Sequence, residues 1–246
     1  MRFLALITFA LLVAGAIPAN AALCRDMDWQ GTGYTVCEVT AGQDLRVFQT
    51  APDGQVFGSF DRVNKALAAE GATLGFAMNA GMYHDDRSPV GLLIEDGQEQ
   101  SEIVTAAGPG NFGMRPNGIF CIAKDRLAIV ESRRFAAKPL DCRFATQSGP
   151  MLVIDGELHP RFIEGSDSRY IRNGVGVSAD GKRAVFAISQ GRVNFAEFAH
   201  FFREGLDLPQ ALYFDGNISR LYAPDLRRND IGFRMGPIVG LVVPRG

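Results

Sequence analysis

Imidazole and indole are scarce in this 246-residue chain, which has three His and one Trp. No two His stand at the spacing of an H-E-x-x-H helix. His84-Asp85-Asp86 has no spaced His partner to complete a metal shell. Cysteine is limited to Cys24, Cys37, Cys121 and Cys142, with no C-x-x-C pair and no zinc-site spacing. A Gly-x-Ser-x-Gly elbow is missing as well, which argues against Ser148, in Gln147-Ser148-Gly149, as an acyl-enzyme nucleophile. Neither charge dominates: 25 Lys+Arg face 27 Asp+Glu, a formal net charge of −2. That balance offers no electrostatic footprint for nucleic acid. With 47% hydrophobic and 21% charged residues, a disordered chain is excluded.

What is present begins with an export signal. Arg2 supplies a short cationic start, residues 3–17 form an apolar run, and Ala19-Asn20-Ala21 offers the small-x-small pattern of a signal-peptidase site. The run is too short to span a bilayer comfortably, and no second one follows, so no stable membrane anchor is expected. Leu23 before Cys24 excludes a lipoprotein, where a small residue would be needed. The expected organisation is a signal peptide over 1–21 and one domain over 22–246. Cleavage removes Arg2 alone and leaves 24 cationic against 27 acidic side chains, a net −3. The product is expected to be periplasmic or secreted. In that oxidising setting four cysteines make two disulfides, and the short local loops favour Cys24–Cys37 and Cys121–Cys142.

Five Asp-Gly pairs punctuate the chain: Asp53-Gly54, Asp96-Gly97, Asp155-Gly156, Asp180-Gly181 and Asp215-Gly216. Asp-Gly accepts the positive φ angles of tight turns, and most of these pairs are flanked by apolar or alternating runs. Strands are expected over 92–94, 151–154, 175–178 and 183–189. Residues 61–70 read as a helix with Val63 and Leu67 on one face and Gly71 as its C-terminal cap. Residues 194–204 read as a second, with Asn194 and Glu197 set for a capping box. Its stripe of Phe195, Phe198, Ala199 and Phe202 reads as helix-on-sheet packing rather than as a ligand site. The pattern predicts a single α+β domain, mixed and largely antiparallel, with a few packed helices.

Polar residues concentrate where hairpins and cores do not need them. Asn79-Ala80-Gly81-Met82-Tyr83 follows an apolar run, and Arg115-Pro116-Asn117-Gly118 comes next. Thr146-Gln147-Ser148-Gly149-Pro150 leads into a strand, followed by Tyr170-Ile171-Arg172-Asn173-Gly174. The last is Tyr213-Phe214-Asp215-Gly216-Asn217-Ile218-Ser219-Arg220-Leu221-Tyr222.

With Pro89-Val90-Gly91-Leu92, these segments resemble the phosphodiester glycosidase family, most closely its exported bacterial branch. The resemblance spans roughly residues 75–225. It implies a hydrolase acting on a sugar phosphodiester, on an envelope or extracellular phosphoglycan, with a carbohydrate or sugar-phosphodiester partner and no cofactor. The alternative is a non-catalytic envelope module that binds the same class of ligand. The catalytic candidates are Asp215, as base, nucleophile or electrostatic stabiliser, and Arg172, whose planar fork suits phosphate oxygens. Asn79, Tyr83, Gln147, Ser148, Asn173, Asn217 and Ser219 are the candidates for holding sugar and phosphate. Asp85, Asp155 and Glu164 are alternatives for a second carboxylate. The pattern assigns neither a metal site nor an oligomeric state.

Overall fold

The computed structural model describes residues 23–215 and 218–246. The expected signal peptide and Asn217 lie outside the described residues. In chain order the strands and helices begin with β1 (Cys24–Trp29), β2 (Thr32–Thr40), β3 (Leu45–Phe48), α1 (Phe60–Leu67) and β4 (Ala72–Asn79). Next come β5 (Leu93–Glu95), β6 (Gln98–Ser101), β7 (Gly118–Ile122), β8 (Leu127–Glu131), α2 (Ser132–Ala137) and β9 (Phe144–Ser148). They are followed by β10 (Met151–Ile154), β11 (Glu157–Leu158), β12 (Asn173–Val177), β13 (Arg183–Ser189) and α3 (Phe195–His200). The chain closes with β14 (Gln210–Asp215), β15 (Leu221–Ala223), β16 (Arg228–Asn229) and β17 (Ile238–Pro244).

These strands make three sheets, ordered β1-β2-β13-β12-β14-β10-β11, β16-β15-β4-β17-β3 and β6-β5-β9-β7-β8. Every ladder among the described strands is antiparallel, so the expected parallel component is absent from them. β17 enters between β3 and β4, so the C-terminal strand joins two strands from the first third of the chain.

Side chains alternate between the two faces of a strand, and that alternation sets the layers. β13 sends Ala184, Phe186 and Ile188 to the central core, and Val185 and Ala187 to the outer face. β7 does the same with Phe120 and Ile122 inward and Ile119 and Cys121 outward. All three sheets therefore share one interior. The Phe186 ring shows it directly, lying 5.2 Å from Phe76 of the second sheet and 5.6 Å from Phe120 of the third. Burying each such ring contributes about 1.5–3 kcal/mol.

Each outer face carries one helix. α3 covers the seven-stranded sheet, α1 covers the sheet of β4 and β17, and α2 covers the third. The Ser59 hydroxyl caps α1 by accepting from Arg62 N, and the chain leaves through a 3-10 turn that ends at Gly71, φ +68°. α3 shows the expected capping box between Asn194 and Glu197, then widens into a π turn over Phe201–Gly205. Phe198, Ala199 and Phe202 are core, as the stripe predicts.

Both disulfides pair locally, Cys24–Cys37 and Cys121–Cys142, with sequence separations of 13 and 21. Constraining the unfolded chain over such loops contributes about 3 kcal/mol each. Asp96-Gly97 and Asp155-Gly156 form tight turns with both φ angles positive, closing β5–β6 and β10–β11. Asp215-Gly216 differs. β14 and β15 belong to different sheets, so no hairpin joins them and the chain crosses from one sheet to another.

Candidate active site

The crossing after Asp215 sits where ends of the three sheets meet, and polar side chains tie those ends together. β4 ends at Asn79 and β12 begins at Asn173, and the two amides hold each other. Asn79 Nδ2 donates to Asn173 Oδ1 at 3.2 Å, and Asn173 Nδ2 donates to Asn79 Oδ1 at 3.0 Å. Ser148, at the end of β9, donates from Oγ to the Phe214 carbonyl at 3.0 Å. Thr146 Oγ1 lies 3.4 Å from the Ala80 carbonyl, linking the third sheet to the second. Arg220 N and Asp215 N donate to Asn79 Oδ1 and Asn173 Oδ1. Ser219 Oγ lies 2.8 Å from the Asp215 carbonyl and 2.9 Å from that of Ile171. Asn79, Ser148 and Asn173 are fully buried. Their desolvation is offset because each polar atom meets another.

Gln147 has a similar role beside them. Its Oε1 accepts from Leu92 N at 3.0 Å and Val104 N at 2.9 Å, while Nε2 donates to Val104 O and Ser132 Oγ. A Cβ at Gly91 would stand 2.3 Å from that Oε1, so only glycine lets the 89–92 segment reach it. Gly81, at φ +75°, meets the same demand against Thr146 Oγ1, 2.5 Å from an added Cβ.

Above this frame opens a cavity of about 450 Å³. Tyr83, Tyr170, Tyr213, Asp215, Ser168 and Asn111 line it, with Met82, Val90 and Gly110 completing the wall. Tyr213 and Asp215 are two apart on β14 and so share a face, while Leu212 and Phe214 point into the central core. Burial, and then the Asp215 charge, push the Tyr83 hydroxyl above its ordinary pKa. Burial does the same for Tyr213, opposed by Arg172 and reinforced by Asp215. Both hydroxyls therefore stay protonated at neutral pH and available as donors. Neither has a hydrogen-bond partner among the described protein atoms.

Arg172 stands behind this wall, 1% exposed. Its Nε donates to Val193 O and its Nη2 to Ser168 O, both at 2.9 Å. The guanidinium carbon lies 3.7 Å from the Phe195 ring centroid, 5.3 Å from that of Tyr213 and 5.4 Å from that of Tyr170. Burial lowers its pKa, with Tyr213 opposing, yet guanidinium remains charged at any physiological pH. No ion pair among the described residues includes Arg172, and its Nη1 has no hydrogen-bond partner. A stacked column supports it from behind: His159 on Phe162 at 4.7 Å, and Phe162 on Phe195 at 5.1 Å.

Of the sequence-derived candidates, Tyr83 and Asp215 line the cavity and Arg172 sits behind it. Asn79, Gln147, Ser148, Asn173 and Ser219 are not among its lining residues; their polar atoms bond within the frame. None of the second-carboxylate alternatives lines it either. Asp155 pairs with Arg134 at 2.9 Å beside Gln210, at the opposite end of β14. Glu164 meets His200 at 3.0 Å, and Asp85 is exposed in the loop after Tyr83. Asp215 is thus the single carboxylate among the described lining residues. Tyr170 and Tyr213 fall in segments the sequence singles out but were not among the named candidates, although the two-residue offset from Asp215 was a usable signal for Tyr213; Ser168 and Asn111 lay outside those segments. No group of three or more His, Cys, Asp or Glu gathers as a metal cluster among the described residues.

Comparison with known proteins gives concordant matches. A sequence profile of the phosphodiester glycosidase family matches residues 72–233. The Escherichia coli (strain K12) protein YigE, described as uncharacterized, is 36% identical over 220 residues, covering 89% of this chain and 84% of its own. The solved catalytic domain of zebrafish N-acetylglucosamine-1-phosphodiester alpha-N-acetylglucosaminidase, auto-inhibited by its pro-peptide, aligns with a TM-score of 0.59 at 13% identity. That alignment covers 91% of this chain and 84% of the zebrafish one. A Burkholderia pseudomallei K96243 protein assigned as exported aligns with a TM-score of 0.52 at 12% identity, covering 85% of this chain and 74% of that one. At such identities the two structures speak for the fold alone.

Proposed function

The chain belongs to the phosphodiester glycosidase family, and from that premise we propose that it is an exported hydrolase of sugar phosphodiesters. The observation that carries the reading is Arg172: a buried cation with no carboxylate in its ion-pair shell and one unbonded nitrogen, next to tyrosines that line a cavity. A buried guanidinium without a counter-ion is costly, and a phosphodiester monoanion in the adjacent cavity supplies the missing charge across the tyrosine wall. The Tyr213 and Tyr83 hydroxyls add two neutral donors for its remaining oxygens.

The reaction then breaks the bond between the anomeric carbon and a phosphate oxygen. The electron pair leaves on that oxygen, a good leaving group that needs no strong general acid. Asp215 stabilises the oxocarbenium-like carbon, and water delivers the new oxygen to it, losing its proton to Asp215 or solvent. One carboxylate suffices for such a leaving group. The same count favours a second reading, a module that binds phosphoglycans without cleaving them. The two disulfides support an oxidising compartment, hence the periplasm or the exterior, and no helix among the described residues is long and apolar enough to cross a membrane.

The test is the mature protein incubated with sugar-1-phosphodiesters while free sugar is followed. Turnover that disappears in Asp215→Asn supports the hydrolase; saturable binding without sugar release selects the binding module; neither binding nor release ends both readings.

A further inference from the structure

Two of the three guanidinium nitrogens of Arg172 are committed to backbone, Nε to Val193 O and Nη2 to Ser168 O, and the Phe195 ring lies over the group at 3.7 Å. Nη1 is left without a hydrogen-bond partner on a side chain that is almost wholly buried. Two cavity-lining rings stand beside this group, Tyr213 at 5.3 Å and Tyr170 at 5.4 Å from the guanidinium carbon. Their hydroxyls differ. Tyr170 is 44% exposed and open to water, whereas Tyr213 is fully buried and its hydroxyl has no partner among the described protein atoms. The Tyr83 hydroxyl is also unpartnered, but the cation over its ring is Arg87, at 5.4 Å. Of the three cavity tyrosines, Tyr213 is the one that joins a buried, unpartnered hydroxyl to the buried cation.

The two unpartnered groups are chemically complementary. Guanidinium nitrogens only donate, while a phenol both accepts and donates. A phenol that accepts from a cation becomes a better donor, because successive hydrogen bonds polarise one another. The Arg172 charge acts on Tyr213 in that sense, opposing the upward push that burial gives its hydroxyl. Tyr213 and Asp215 stand two residues apart on one face of β14, about 7 Å along the strand. An anion held at Tyr213 therefore sits beside the Asp215 carboxylate and not upon it.

We propose that Tyr213 couples Arg172 to the ligand: Arg172 Nη1 donates to the Tyr213 hydroxyl, which donates in turn to a phosphate oxygen in the cavity. This rests on the phosphodiester reading above and adds an orientation, with the phosphate at Tyr213 and the sugar at Asp215. A neutral hydroxyl in the cavity wall thus presents the charge of a cation that stands behind it.

The probe is dimethyl phosphate, a phosphodiester monoanion, titrated into the mature protein and followed by phosphorus NMR. Binding is read, not turnover. Tyr213→Phe keeps the ring against the guanidinium and is expected to weaken binding about tenfold or more. Arg172→Met and Tyr213→Phe combined are expected to bind no more weakly than Arg172→Met alone, since both break one chain of hydrogen bonds. Tyr170→Phe, whose ring meets the same guanidinium, is expected to add its effect to that of Arg172→Met in full. If Arg172→Met does not fold, Tyr213→Phe decides alone. Wild-type affinity in Tyr213→Phe, or losses that simply add in the double variant, would overturn the inference and leave the phosphodiester reading standing. A wild type that binds no dimethyl phosphate would end both. The expected pattern without sugar release from sugar-1-phosphodiesters supports the coupling and selects the binding module.

Discussion

Replacing Arg172 by Met separates what the guanidinium does for the fold from what it does for a ligand. Met follows the same path along Phe195 and Tyr213 and carries no charge. Removing the ion relieves a desolvation penalty of several kcal/mol, as expected where no carboxylate compensates it. Against that stand the hydrogen bonds from Nε to Val193 O and from Nη2 to Ser168 O. Charge-assisted bonds contribute about 1.5–3 kcal/mol each, so losing two costs about 3–6 kcal/mol. The opposing quantities are of equal size, and Arg172→Met is expected to melt within about 8 °C of wild type for a chain this long. Ligand response is expected to behave quite differently. A non-hydrolysable sugar phosphodiester at about 100 times its Kd stabilises the wild type by about 2.7 kcal/mol, and this shift vanishes in Arg172→Met. Sugar release is expected to fall by about 100-fold or more. Thermal melts with and without the diester, paired with the release assay, read both effects. A variant that melts normally and still responds to the diester would refute the counter-ion argument; one that never folds would make Arg172 a keystone of the loop instead.

Asp215→Asn is expected to fold normally and to lose about two or more orders of magnitude in turnover, measured on the same substrate; unchanged hydrolysis removes Asp215 from the mechanism. His159, pushed down to about 4 by burial first and Arg161 second, stays neutral in the fold. As pH falls below 6.5 the unfolded chain takes a proton that the folded chain refuses, so stability drops by about 3 kcal/mol on the way to 4. His159→Phe keeps the stack on Phe162 and is expected to lose that acid sensitivity; parallel pH–melting curves for the two proteins would contradict this. Gly91→Ala places a Cβ 2.3 Å from Gln147 Oε1 and 2.7 Å from the Phe112 ring, for which denaturant melts are expected to show a loss of about 1–3 kcal/mol.

The core was legible because alternation needs no tertiary knowledge: Val185 and Ala187 separate from Phe186 by period alone. The capping box at Asn194 and the local cysteine pairs were legible for the same reason, since their partners lie close in sequence. The motif residues announced a special region without revealing their individual duties. Asn79 and Asn173 are 94 positions apart, and nothing local tells an amide that meets another amide from one that meets a sugar. Phe195 belongs to an apolar stripe whose composition matches ordinary core, and nothing in it announces that the ring stacks on Arg172. The crossing after Asp215 was hidden too, because Asp-Gly reads alike whether the next strand returns to the same sheet or leaves for another.

The place of β17 bears on when the protein can finish folding. It is the last of the described strands in chain order, yet β3 and β4 flank it on either side, and Ile238 is the register partner of Asn79. A nascent chain lacking its final stretch has no means of joining those two strands. The polar frame beneath the cavity stays incomplete at its β4 end until β17 is in place. Closing that sheet thus depends on pairing elements far apart in the chain, a long-range step of the slow kind.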